Sequence, residues 1–461
     1  MTGTAAGTGS WRELLGRDYA GATTVLAGGV AFYAINEFIT MSMLPSVVAD
    51  IGGERVYAWV TTVYLVASVM SATTVGPLLT RFGPRYSYLA ALVGFAAGSV
   101  VCTLAPTMGV LLVGRVVQGL AGGVLAGLGY AVISAALPER LWTRASAVVS
   151  AMWGVGTLIG PASGGLFAQF GLWRAGFGVL AVGAVLMALL VPVALPARVG
   201  EAPPRVRIPV RSLALLGVAA LAVSAAALPR NPAMMAALLA LAVALVVAFV
   251  VLDRGAGARV LPRSTFGPGP LKWIYLTLGL LMGVTMVDVY APLFGQRLGA
   301  LQPAAAGFLG AALSVGWTVA EIRSAAITDQ RTAARVVTWA PVLMAAGLGL
   351  AALTQRDQAG PGIVAVWAIA LALSGAGIGM AWPHLCVWAM GSADEPGEQA
   401  VAAAAINTVQ LMCAAFGAGL AGVLVNLRES PDASSARAMF AVFAALAALG
   451  VLASRRAHRP G

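Results

Sequence analysis

The sequence predicts an all-α integral membrane protein of fourteen spans, and three observations carry that expectation. Of its 461 residues, 60% are hydrophobic and only 10% charged. A soluble domain shows a surface that is about 25–35% charged, so here the exterior must be lipid. The charges are also bunched between apolar runs of 18 residues or more, the length that crosses a bilayer core. Third, the mean hydropathy of +0.89 is sustained along the chain, and no loop is long enough to hold a soluble domain.

In chain order the apolar segments fall at 22–44, 57–79, 86–105, 108–136, 144–168 and 173–195. Two more, at 212–229 and 233–252, are joined only by Pro229, Arg230, Asn231 and Pro232. Six follow at 271–296, 303–322, 335–354, 362–390, 399–426 and 437–453. The pattern reads as six, two and six. The first run follows a polar stretch and is of full span length, unlike a cleavable signal, so it is expected to stay as an anchor. The stretches 196–211 and 253–270, rich in Pro, Gly and Arg, read as linkers around the extra helix pair.

Lys and Arg concentrate on the side that stays in the cytoplasm. With an inside N-terminus, 20 of the 28 basic residues fall inside, 7 outside, and Arg115 lies within a span. That excess explains the net charge of +11 and the pI of 10.3. It is spread over short loops with no basic face, so nucleic acid is excluded as a partner. One inside loop dissents, since Asp394, Glu395 and Glu398 have no basic companion. Cys102, Cys386 and Cys413 sit in apolar runs without disulfide or metal spacing and read as small hydrophobes.

The single lysine, Lys272, stands in Gly-Pro-Leu-Lys-Trp, outside any phosphate-loop frame. No cofactor or metal is expected, and active transport by this chain would draw on an ion gradient. The gradient would be read by ionisable groups inside spans, each costing ~2.5–3.5 kcal/mol to place there. These are Glu37, Arg115 and Asp288, with Glu321 nearer a cytoplasmic end. Counting ~1.5 Å per residue from the span ends puts the first three ~10–12 Å below the outer surface, in one layer. A carboxylate whose surroundings alternate between an arginine and bare hydrocarbon takes up and releases a proton. Bland readings compete: Arg115 as a clamp neutralised by Glu37, Asp288 facing an outer vestibule, Glu321 paired with Arg323.

Motifs then support a resemblance. Gly76-Pro-Leu-Leu-Thr80-Arg81-Phe-Gly83-Pro84-Arg85 follows the second span. Its glycines permit a tight turn and its arginines suit negative helix C-termini. The fourth span holds Arg115-Val-Val-Gln118-Gly119, with Arg115 and Gln118 on one face. The fifth holds Gly156, Gly160, Pro161, Gly164 and Gly165, a proline bend beside a smooth packing face. Trp173-Arg174 precedes the sixth span, and Pro292 with Gln296 echoes a Pro-x-x-x-Gln element. Together these resemble the major facilitator superfamily, and within it the fourteen-helix drug:proton antiporter branch. Thr80 stands where that family has Asp and Pro84 where it has a basic residue. In the first span Leu44-Pro45 fits, but Asn36 takes the acid's position, with Glu37 about 100° round the helix.

The resemblance implies two six-helix bundles, 22–195 and 271–453, around a central cavity, joined by a 196–270 linker carrying the extra pair. Segments 1–21 and 454–461 would be cytoplasmic, and the chain would sit in the cell membrane as a monomer. The implied activity is proton-coupled export of a small amphipathic organic compound, with Glu37 and Asp288 as proton carriers and Arg115 as their electrostatic partner. Gly76, Arg81, Gly83, Arg85 and the fifth-span glycines with Pro161 would control gating. Substrate contacts are expected from Tyr33, Asn36, Met41, Gln118, Trp382, His384, Asn407 and Gln410, a mix of aromatic, apolar and polar groups suited to such molecules. Uptake or facilitated exchange by the same fold is the nearest competing reading, and an integral membrane enzyme or sensor the distant one.

Overall fold

A computed structural model describes residues 10–197, 208–392, 398–427 and 432–457. The linker arginines 198, 205 and 207, the acidic pair Asp394 and Glu395, and Arg428 and Arg459 lie outside the described residues. Those described are helical throughout, with no strand among them. The main helices are α1 (Ala20–Ile51), α2 (Trp59–Ala72), α3 (Val75–Thr103), α4 (Met108–Ala131), α5 (Trp142–Gln169) and α6 (Trp173–Ala194). The middle pair is α7 (Val210–Ala225) and α8 (Pro232–Gly255). Then come α9 (Leu271–Thr285), α10 (Ala291–Gly299), α11 (Pro303–Ser324), α12 (Gln330–Thr354), α13 (Pro361–Gly391), α14 (Glu398–Asn426) and α15 (Ala433–Ala457).

Among the described residues, twelve helices are long and apolar enough to cross a membrane. The difference from the fourteen expected segments has two local causes. The expected second span is divided: α2 stops at Ala72, a turn at Thr73–Thr74 intervenes, and helix resumes at Val75. It then runs to Gly83, whose backbone at φ 77°, ψ 172° is open to glycine but strained for other residues. The expected third span continues from Pro84 with almost no loop. The seventh segment, α7, has only 16 residues.

Helix starts follow local chemistry. Pro232, Pro303 and Pro361 open α8, α11 and α13, where a missing N–H goes unfelt. Asn231 Oδ1 accepts the Ala233 N–H at 2.8 Å, and Asp329 accepts that of Thr332 at 2.8 Å. After α8 the buried Asp253 carboxylate accepts the N–H groups of Val260 and Leu261, at 2.9 and 3.0 Å. Glu398, unexplained in the sequence, accepts from the Arg263 N–H and the Ser264 hydroxyl, both at 2.9 Å. Its acid belongs to the turn before α9 and needs no basic side chain.

Polar contacts fall at two ends of the bundle. At the proximal end, Arg140 bonds Glu13 at 2.6 Å, and Arg85 Nε donates to the Leu195 carbonyl at 3.0 Å, closing α6. Arg140 holds the Glu13 carboxyl below its ordinary range by hydrogen bonding. At the distal end, Arg174 bridges Asp50, at 2.5 Å, and the Ala105 carbonyl, and Arg297 pairs with Glu54. The first and last six-segment groups meet along two seams, α5 against α11 and α2 against α14, with α1 also touching α10 and α11. The middle pair lies on one seam: α7 packs on both α2 and α14, while α8 is covered by little besides α7.

Candidate functional site

The N-terminal half builds a polar cluster around one buried cation. Arg115, 1% exposed, projects from α4. Its Nη1 donates to Asn36 Oδ1, Thr40 Oγ1 and Gln118 Oε1, at 3.1, 3.2 and 2.9 Å. Its Nε donates to the Val60 carbonyl at 3.2 Å, and the guanidinium sits 4.2 Å from the centre of the Tyr64 ring. Gln118 Nε2 passes the chain on to Ser99 Oγ at 2.9 Å. The i, i+3 spacing of Arg115 and Gln118 makes their bond possible, and Asn36 and Thr40 meet the same cation from one face of α1.

This arrangement corrects the reading in which Glu37 neutralises Arg115. Asn36 takes the arginine, and no ion pair within 4.0 Å joins Arg115 to Glu37. One position further along α1, Glu37 makes no ion pair with Arg115 but stays within its electrostatic range. It is buried and within electrostatic reach of Asp288 from the other half.

Asp288 owes its place to a broken helix. Between α9 and α10 the backbone tightens into a 3₁₀ turn over Met286–Val289, so the span bends where the acid sits. Asp288 lines a small niche with Met41, Ser42, Pro161, Pro292 and Gly310. Its Oδ1 is buried without a hydrogen-bond partner. Such an oxygen is costly to leave bare and readily receives a proton or another donor.

Pro161 of the fifth-span motif lines that niche, and the motif's glycines pack against neighbouring helices. A Cβ at Gly156 would lie 2.6 Å from that of Ala34, and one at Gly160 2.5 Å from that of Phe38. One at Gly164 would meet the Ile39 carbonyl oxygen at 2.6 Å, and one at Gly165 the Cα of Ala304 on α11 at 2.6 Å. Ser42 Oγ donates to the Pro161 carbonyl at 3.2 Å. The motif therefore joins α1, α5 and α11, where the halves touch.

The remaining predicted residues divide. Tyr33 stacks on Tyr64 at 5.3 Å between ring centres and meets Trp153 edge-on, within the arginine cluster. Trp382 and His384 belong elsewhere. His384 Nε2 lies 3.0 Å from Ser324 Oγ, and Trp382 lies 5.4 Å from Trp317, toward the proximal end of α11. Gly310 and Ser324 are ~21 Å apart along that helix, so these groups do not join the Asp288 niche. Asn407 is exposed and Gln410 half-buried on α14, and neither hydrogen-bonds to a described residue. Glu321 accepts the Trp317 indole N–H at 2.8 Å and makes no ion pair with Arg323. In the loop motif, Thr80 Oγ1 donates back to the Gly76 carbonyl at 2.9 Å, and Arg81 lies on the Phe82 ring. Thr40, Tyr64 and Ser99 were missed. Of these, only Thr40, four residues after Asn36, carried a signal in its spacing.

A sequence profile of the Major Facilitator Superfamily matches residues 26–418. The chain belongs to the Major Facilitator Superfamily. A probable multidrug-efflux transporter of Mycobacterium tuberculosis strain H37Rv is 59% identical to this facilitator over 466 residues, covering 100% of this chain and 99% of that protein. A multidrug transporter of Bacillus subtilis is 23% identical, over 86% of this chain and 73% of its own length. Among solved structures, a bacterial homologue of the human lysosomal transporter Spinster superposes with a TM-score of 0.67 at 13% identity, covering 98% and 100% of the two chains. A POT-family peptide transporter gives 0.68 at 15% identity, covering 95% and 97%. At those identities the shared feature is the facilitator fold.

Proposed function

We propose that this facilitator is a secondary active transporter that exports small amphipathic organic compounds, of drug or secondary-metabolite type, in exchange for protons. Export follows from the 59% identity to a probable multidrug-efflux transporter over the whole chain. Proton coupling rests on one observation: the bare buried Oδ1 of Asp288, in a broken helix within electrostatic reach of Glu37. Glu37 is a second buried acid, on a helix that meets the other half. A rocking motion that changes its separation from Asp288 changes how readily the pair holds a proton. Arg115, held on neutral partners, supplies a fixed positive field beside them.

The chain is read as two six-helix bundles, 22–195 and 271–453, with an extra pair in the 196–270 linker. This is the fourteen-span drug:proton antiporter arrangement. The placement of polar contacts supports it: Glu13–Arg140 and Arg85–Leu195 gather at one end, Asp50–Arg174 and Glu54–Arg297 at the other. That alternation requires α2 and α7 each to cross, short as they are. The basic excess supports a cytoplasmic proximal end with both termini on that side, and the protein is read as a monomer of the cell membrane.

Purified protein in proteoliposomes tests the reading. With an imposed pH gradient, substrate should move against its own gradient while protons move the other way. D288N and E37Q should each lower this coupled flux at least tenfold and leave substrate binding measurable. Wild-type rates in the double variant would refute the proton role. Transport independent of the pH gradient would refute antiport.

A further inference from the structure

Beyond the Tyr57–Tyr290 stack, whose ring centres are 4.7 Å apart, the distal end holds two adjoining cavities. The smaller, about 160 Å³, has Glu54, Tyr57, Tyr290 and Arg297 in its wall. The larger, about 300 Å³, lies under the hairpin joining α7 and α8 and is lined by Arg55, Arg230, Asn426, Met235 and Val423 among others. Both include Glu54 and Asn426.

Their charge balance differs. Glu54 is taken by Arg297 across the seam. Arg55 and Arg230 have no carboxylate within 4.0 Å among the described residues. Among the described residues the larger cavity is therefore lined by two arginines, one from each of two elements, and by one acid, Glu54, that is already engaged. Three parts of the molecule meet there: Asn426 Nδ2 of α14 donates to the Arg55 carbonyl at 2.8 Å and to the Ala227 carbonyl, just past α7, at 3.3 Å. The rest of the wall is apolar, with Met235 on α8. Further along α8, Val243, Val247 and Val251 are all more than half exposed, as a lipid-facing surface requires. Two arginines at the distal end, beside a helix with an exposed apolar surface, match a phosphate carried on acyl chains. Arginine forks suit phosphate oxygens.

We propose that this cavity binds the phosphate of an anionic phospholipid headgroup, with Arg55 and Arg230 as its cationic ligands. The bound lipid joins the extra helix pair to both halves at the distal end.

The test uses full-length protein in nanodiscs of phosphatidylcholine with and without phosphatidylglycerol, reading retained lipid by native mass spectrometry and stability by thermal unfolding. Wild type should retain phosphatidylglycerol in preference to phosphatidylcholine and unfold at a higher temperature when it is present. R55Q/R230Q should lose at least tenfold of that preference, and R55K/R230K should keep part of it. Equal retention in wild type and R55Q/R230Q would overturn the site. Soluble glycerol phosphate should give no comparable thermal shift; one as large as that of phosphatidylglycerol would overturn the lipid as ligand. Should the double variant fail to fold, R230Q is compared with R356Q, an exposed arginine also at the distal end, and equal retention in those two refutes the assignment.

Discussion

Arg115 keeps its charge inside the bundle on neutral acceptors and one aromatic face, and one place for a counter-charge from another helix is Asn36, whose Oδ1 lies 3.1 Å from Nη1. Exchanging that amide for a carboxylate changes little in size and converts a hydrogen bond between a cation and a neutral amide into an ion pair, placed beside a charge whose desolvation is already met. N36D should therefore unfold several degrees higher than wild type, and N36A lower. A thermal ramp in detergent decides it, and an unchanged or lower midpoint for N36D would show that the cation needs no partner there. The same residue shows how far the site was legible. Buried ionisable groups are conspicuous in so apolar a sequence, so Glu37, Arg115 and Asp288 stood out at once. Which of Asn36 and Glu37 faces Arg115 depends on the rotation of α1, and residue types alone do not fix that.

At the scale of elements, backbone shape and side-chain absence carry most of the specification. Gly83 holds a conformation that costs a residue with a Cβ ~1–3 kcal/mol, so G83A should lower the unfolding midpoint and shift the Arg85 clamp on the end of α6. In α5, G160L would drive its side chain into Phe38, an overpacking worth ~1–3 kcal/mol, and should separate α5 from α1. Reduced thermal stability together with new exchange of amide hydrogens in α1 would confirm it. The one-turn helix Trp11–Leu14 offers a pH test. The Glu13 carboxyl is held low by Arg140, so its contribution is present above the unfolded value and is lost as pH falls through the folded one. Protection factors of residues 10–14, corrected for the intrinsic pH dependence of exchange, should fall on acidification in wild type and stay constant in E13Q. Long apolar helices were readable because hydropathy and span length are properties of composition. The break at Thr73–Thr74 and the 3₁₀ turn at Asp288 were not, because both depend on neighbouring helices that the sequence cannot place.

For the whole molecule, the two halves are fastened at the distal end by the Tyr57–Tyr290 stack and the Glu54–Arg297 pair. An aromatic pair contributes ~0.5–1.5 kcal/mol beyond its area, which corresponds to a factor of about 2–13 in an equilibrium between closed and open distal ends. Y57A/Y290A should shift that equilibrium toward the open form, read as faster alkylation of a cysteine placed at Met41. Unaltered labelling would mean that the fastening lies elsewhere. The sequence groups its apolar runs as six, two and six, but the position of the middle pair cannot be read from it. Nothing in α7 or α8 announces which seam they cover.

That position makes the molecule lopsided. α7 is hydrogen-bonded to the first bundle through Trp59 and Thr62, which meet Ser224 at 3.0 and 2.9 Å, while Gly419 of α14 presses against the same serine. Among the described residues, one flank thus has a shutter and the other, along α5 and α11, has none. Oily molecules dissolved in the surrounding bilayer would find their doorway on the unshuttered flank, and cargo leaving sideways would do so into lipid on that side alone.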